Sequence, residues 1–218
     1  MRTLNALLRA AVLLVALPVQ AANWQDLPDS VQLEKMGDSL RMNGTPMTVR
    51  SFHTGAKLDT VLREVEIAWE RHPGKEQVKR TEMPGWTVLN QKVGDDHRSL
   101  QVRQNGDQVE GIVALTSPKQ TRPTKLAVRL APQMTALQIV DSVDGAKVSQ
   151  QITAVSARSF EVTASALEAA LKADGWERHV FKKQANGIAL SANRGQSQFD
   201  AMIMAQKAGA LVLINTVQ

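Results

Sequence analysis

The chain has no cysteine and no tyrosine, and only 4% of its 218 residues are aromatic. Without cysteine there is no disulfide framework, no thiol nucleophile and no thiolate metal site. Sugar-stacking platforms and single-stranded nucleic-acid surfaces both rely on exposed rings, so their scarcity argues against both. Catalytic signatures are missing as well. Neither HExxH nor GxSxG occurs, which removes the usual local marks of a zinc peptidase and of an α/β-hydrolase nucleophile. A nucleotide site needs a glycine-rich turn from strand to helix. The best match, His53-Thr54-Gly55-Ala56-Lys57, carries one glycine.

The remaining chemistry is sparse. There are four histidines: His53, His72, His97 and His179. Asp95-Asp96-His97 is the nearest approach to a ligand cluster, but two acids and one imidazole under-supply a metal. Aspartate at a turn is explained by its own local hydrogen bonds. A carboxylate pair for glycosidic chemistry converges only in space and leaves no trace in sequence. The expectation is therefore a protein with no catalytic residues, no cofactor and no metal.

What is present begins at the N-terminus. Arg2 and Arg9 precede the apolar run Ala10-Ala11-Val12-Leu13-Leu14-Val15-Ala16-Leu17, and Pro18 breaks it before Val19-Gln20-Ala21. This is the three-part layout of a secretory signal peptide over residues 1–21, with cleavage after Ala21. The apolar core is shorter than the ~20 residues a membrane-spanning helix needs. The reading is an exported chain, periplasmic or secreted, with no transmembrane segment after cleavage. Export also argues against a nucleic-acid partner. Loss of Arg2 and Arg9 leaves 24 basic residues against 21 acidic ones.

Two regions with similar order follow. In the first, residues 31–116, Asn43-Gly44-Thr45-Pro46 separates two strand-like runs. Leu58, Val61, Leu62, Val65, Ala68, Trp69 and His72 then form one helical stripe, with Thr54 as N-cap and Pro73-Gly74 as stop. The period changes to two beyond it, as in Leu100 and Val102 alternating with Gln101 and Arg103. Residues 117–131 contain Pro118 and Pro123 and read as a linker. In the second region, residues 132–218, a turn at Asp144-Gly145 precedes a helix signed by the capping box Ser165-Ala166-Leu167-Glu168. Gly175 ends that helix, and four strand-like runs follow it. The fold class is α+β: two similar tandem modules, each with one helix on a small antiparallel sheet. Echoes about a hundred residues apart support a duplication. Asp38-Ser39 matches Asp141-Ser142, Arg50-Ser51-Phe52 matches Arg158-Ser159-Phe160, and Pro84-Gly85 matches Asn186-Gly187. The four letters WERH occur at residues 69–72 and 176–179. They fall at the end of a helix in one case and the start of a strand in the other, so they do not make a repeated active-site box.

Two sets of residues are candidates for binding. Between Glu110 and Asp141 no acid occurs, while Lys119, Arg122, Lys125 and Arg129 do. An envelope protein or other acidic surface would be steered to them; the plainer reading is a solvated basic linker. Trp86, Trp176, Met202 and Met204 are candidates to line a pocket between the modules. Met202 and Met204 alternate with Ala201 and Ile203, which suggests a strand covered on both faces, or else a patch for a partner. Together these features point to a non-enzymatic exported interaction or adaptor protein, an accessory of an envelope machine such as a secretion or pilus apparatus. A small hydrophobic-ligand binder is the alternative. A hydrolase assembled only in the fold is the weakest reading.

Overall fold

A computed structural model describes residues 27, 31–36, 39–71 and 76–218. The expected signal peptide, Asp38, His72 and the Pro73-Gly74 stop lie outside the described residues. The described chain is mostly antiparallel sheet with two helices.

The order is β1 (Gln32–Lys35), β2 (Ser39–Met42), β3 (Thr45–Thr54), α1 (Leu58–Glu70), β4 (Lys79–Met83), β5 (Trp86–Val93), β6 (Asp96–Asn105) and β7 (Gln108–Thr116). After a 3-10 turn at Pro118–Gln120 come β8 (Met134–Asp144), β9 (Lys147–Ser156), α2 (Phe160–Ala173), β10 (Glu177–Gln184), β11 (Gly187–Arg194), β12 (Ser197–Gln206) and β13 (Gly209–Val217). Two-residue turns join most neighbouring strands. Asn43 and Gly44 both have positive φ, at 51° and 78°, the backbone that lets a tight hairpin follow the natural twist of its strands.

All strands belong to one sheet, ordered β10-β11-β12-β13-β9-β8-β2-β3-β7-β6-β5-β4, with β1 also paired to β3. The order is the same on both sides of the β8·β2 junction. Strands β2, β3, β7, β6, β5 and β4 run outward one way, and β8, β9, β13, β12, β11 and β10 run outward the other. Register repeats too. Val88 faces Gln101 as Ala189 faces Met202, and Leu100 faces Val113 as Ala201 faces Ile214. Each such position in the second half lies 101 or 102 residues after its counterpart.

The helices follow the same rule. Val61, Leu62, Val65 and Trp69 are the buried residues of α1, and Thr163, Ala164, Leu167 and Leu171 those of α2. One stripe meets Leu89, Leu100, Val102, Val109 and Val113; the other meets Ile188, Leu190, Ile203, Val212 and Ile214. Truncating any one of these aliphatic chains to alanine removes about 2–5 kcal/mol. Residues directly opposite in an antiparallel pair share a face. The pairs Arg41↔Asp141 and Asp141↔Gln150 therefore carry the helix-bearing face of one half into that of the other. Both helices lie on one face of a continuous sheet.

Several local expectations shift. Thr54 does not cap α1; Lys57 holds that position, and Thr54 Oγ1 accepts from the Ala56 amide at 3.2 Å. Ser156 Oγ accepts from the Arg158 amide in the same way before α2, also at 3.2 Å. The capping box at Ser165 lies inside α2, which starts a turn and a half earlier from Ser159, whose Oγ accepts from the Val162 amide. A serine three residues before a glutamate is common inside amphipathic helices, so that signal had no way to fix the start. The echo of Arg50-Ser51-Phe52 in Arg158-Ser159-Phe160 fails: the first is in β3 and the second enters α2. By register, Phe52 corresponds to Ala154.

Candidate functional site

The basic stretch is not a free cationic strap. Lys119 Nζ lies 2.5 Å from Asp95, and Arg129 lies 3.4 Å from Asp174. Two of its four charges are thus matched, one by each half. The backbone is tied down as well. Gln150, buried on β9, accepts from the Ala127 amide at 2.8 Å and donates to the Lys125 carbonyl at 3.0 Å and to Asp141 at 2.6 Å. Further on, Val128 and Ala131 are buried in the second core. At the other end, the Arg122 amide donates to Gly44 O at 3.1 Å. Arg122 and Lys125 make no side-chain ion pair among the described residues. Lys125 lines a cleft of about 370 Å³ with Asp141, Gln150 and Arg194.

The four pocket candidates are not brought together. Trp86 is half-buried on β5, on the face without helices, with the Arg103 guanidinium 4.5 Å above its ring. Arg103 in turn pairs with Glu110. Hydrogen bonds from Asn105 and Arg103 hold the Glu110 carboxyl below the usual glutamate range. Trp176 is on the opposite face, only 4% exposed, edge-on to Phe199 and under Arg194 at 4.7 Å. It borders a cleft of about 470 Å³ at the C-terminal end of α2, with Leu171, Leu190 and Ala192 as floor and Glu168 and Arg178 at the rim.

Met202 and Met204 lie on the helix-free face. The two faces of β12 differ: Phe199, Ala201 and Ile203 are buried toward α2, while Met202 is 39% exposed. Its cross-strand neighbour Leu213 is 36% exposed, and Met204 faces Leu211, which faces Val155. The expected cover on both faces is therefore absent among the described residues. A contiguous apolar patch remains on the open side of the second half.

In the first half the place corresponding to the Trp176 cleft is filled. Trp69 stands where Leu171 does, Gln91 where Ala192 does and Arg98 where Phe199 does. The Arg98 guanidinium lies 4.6 Å over the Trp69 ring, donates to Gln91 Oε1 at 2.6 and 2.8 Å and to Trp69 O at 3.2 Å. Gln91 donates to Trp69 O and to Glu76 O. This buried set locks the end of α1 to the sheet and fixes the start of the chain that leads to β4.

No family model, curated protein or solved structure matches the chain.

Among the described residues no group of three or more acids and histidines is placed to hold a metal, and no helix is long and apolar enough to cross a membrane. Asp95-Asp96-His97 is split up: Asp95 turns to Lys119, and His97 points to the open face beside Lys92 and Thr116. That placement opens onto a cleft of about 440 Å³, which the sequence did not signal because its residues come from five strands and the segment before β4.

Proposed function

We propose that the chain is a non-enzymatic, exported interaction protein, an adaptor in the cell envelope, built from two duplicated modules of residues 31–116 and 132–218 joined by 117–131. The observation that carries this reading is the open apolar patch of Met202, Met204, Leu211, Leu213 and Val155 on a sheet whose other face carries both helices. A patch of this kind on a soluble chain marks a surface for association. Repeated strand order and a near-constant offset between the halves support the duplication, and the residue pattern before Ala21 supports export.

The test is site-specific photocrosslinking in the native host. A photoreactive residue at Met202 or at Leu213 should yield one shared adduct in the envelope fraction, and one at Ser165, on the exposed side of α2, should yield none. Leu213→Asp should abolish the Met202 adduct. Adducts only at twice the chain's own mass, or none at either position, would overturn the adaptor reading.

A second reading has one observation in its favour: the cleft beside Trp176 has the apolar floor that a small hydrophobic ligand needs. Its floor side chains are each at most 4% exposed, so a ligand must displace Arg194 or Arg178 to reach them. A change in tryptophan emission on titration with fatty acids, lost in Trp176→Phe, would favour this reading over the adaptor.

A further inference from the structure

The cleft of about 440 Å³ on the open face of the first half has an unusual lining. Two rows of paired residues cross it. One row is Lys79, Asn90 and Ser99 on β4, β5 and β6; the next is Lys92, His97 and Thr116 on β5, β6 and β7. Neighbouring strands are ~4.8 Å apart, and side chains two positions on are ~7 Å apart along a strand. Six polar side chains thus share one face over an area of about 14 Å by 7 Å, beside Met42, Glu76 and Gln77 of the same lining. Every one of the six is able to donate: two ammonium groups, an amide, an imidazole N–H and two hydroxyls. Lys92 also faces Glu76 at 3.4 Å, and the Thr116 hydroxyl also reaches His97 O at 3.4 Å. Lys79 has no ion pair among the described residues. The wall behind the cleft is held by Gln91 and Arg98, which fix the Glu76 backbone and the end of α1.

The second half supplies a comparison with the same backbone. At the corresponding positions stand Val180, Ser191 and Asp200 in one row and Asn193, Gln198 and Val217 in the other. No cation is there, and Asp200 accepts from Ser191 Oγ at 2.6 Å. The sheet therefore folds and pairs without lysines or histidine at these places, so their presence in the first half is not a demand of the fold.

We propose that this cleft binds a phosphate ester, gripped through Lys79, Lys92, Asn90, Ser99 and His97. A carboxylate offers two oxygens, too few for donors arriving from three strands, whereas a phosphoryl group presents three acceptor oxygens and a charge matched by lysine. The volume suits a phosphoryl group carrying a small polyol, since small organic ligands occupy clefts of about 300–1,000 Å³. The source is either a soluble phosphomonoester or a lipid headgroup that ends in a phosphomonoester, as in phosphatidic acid.

Nitrogen–proton correlation spectra of the chain, titrated with glycerol 3-phosphate, test it. Saturable shifts are expected at the amides of Lys79, Asn90, Lys92, His97 and Ser99. Lys79→Gln and His97→Gln should each weaken the midpoint about tenfold, as loss of a hydrogen bond to a charged group does. Lys182→Gln, on the open face of the second half, should leave it unchanged. Sedimentation with vesicles of phosphatidic acid in phosphatidylcholine and with vesicles of phosphatidylcholine alone separates the sources. Binding to the former alone, lost in Lys79→Gln, assigns a headgroup, and titration shifts without vesicle binding assign a soluble phosphoester. No saturable shift at those amides, an equal response to acetate, or undiminished affinity in both variants would overturn the proposal. None of these results depends on the patch around Met202, so this site and the adaptor reading fail separately.

Discussion

Gly44→Ala is the change that asks most directly whether the segment between the halves is structural. Gly44 has φ of 78°, and a Cβ there would sit 1.7 Å from the carbonyl oxygen of Arg122. Alanine in the left-handed region carries a penalty of about 1–2 kcal/mol. The contact adds more, because the obstacle is backbone and must move as a whole. Moving it breaks the Arg122 N–H bond to Gly44 O at 3.1 Å and the Thr45–Thr121 hydroxyl bond at 2.8 Å. Each is worth about 1 kcal/mol net, giving a loss of about 3–4 kcal/mol in all. Gly94→Ala is the control: φ there is 61°, with nothing within 4 Å of the added carbon. It should lose only the backbone penalty, about 1–2 kcal/mol. Urea unfolding reads both, through midpoint and slope. Hydrogen exchange at the Arg122 amide should quicken in Gly44→Ala and not in Gly94→Ala. Equal losses in the two variants, with the Arg122 amide unchanged, would refute the idea that the segment clamps the central hairpin.

Gln150→Ala should destabilise the chain by about 2–3 kcal/mol, because it leaves the Ala127 amide and Lys125 carbonyl without their partner; chemical unfolding reads the loss, and an unchanged Ala127 exchange rate would count against it. Glu110→Gln tests the cluster at Trp86. Since the folded-state pKa of Glu110 is lowered from 4.5, its charged form stabilises the fold fully above that value, and the contribution is lost as pH falls through the lowered pKa. The stability gap between the native chain and Glu110→Gln should therefore be flat near neutrality and shrink on acidification below 4.5. A gap that is constant or widens toward acid would show that Asn105 and Arg103 do not favour the carboxylate.

Elements were legible in the sequence where periodicity and turn chemistry agreed. The stripe from Leu58 to Trp69 is α1, and the alternation at Leu100 and Val102 is β6, with both residues fully buried. Val88 lies on the opposite face and is buried there by its neighbours; alternation alone does not say which of two faces a helix covers. Offsets were partly legible. By strand register Pro84-Gly85 corresponds to Ala185-Asn186, one residue before the glycine that drew the match. Letters misled wherever they were read without register. Trp69 and Trp176 are 107 positions apart, out of step with matched core residues such as Leu89 and Leu190. The lysine-histidine cleft was not legible at all. Lys79, Asn90 and Ser99 become neighbours only through strand pairing, and no local pattern encodes which strand lies beside which.

The junction between the halves explains why one face stays open. Leu40 on β2 faces Ser142 on β8, and Ser142 is also the position that corresponds to Leu40. Residue therefore meets its own counterpart, as in a twofold contact between identical subunits. Exposed strand edges invite pairing with other chains, and charged side chains blunt them. The edges that meet here carry Leu40, Met42, Val140 and Val143, with Arg41 opposite Asp141, whereas the two outer edges carry Lys79, Arg80 and Glu82 on β4 and Glu177, Arg178, Lys182 and Lys183 on β10. Joining through the more apolar edges leaves the more charged ones at the ends and so opposes further growth of the sheet. A twofold axis perpendicular to a sheet keeps each helix on its own side of the plane, so the contact that completes the sheet places both helices together. The opposite face is then doubled in area, with nothing among the described residues of either half to cover it. On that doubled face the halves differ, with methionine and leucine in one and lysine, histidine and hydroxyl in the other. Two halves that share a strand order need not share a surface, and the difference is where function is to be sought.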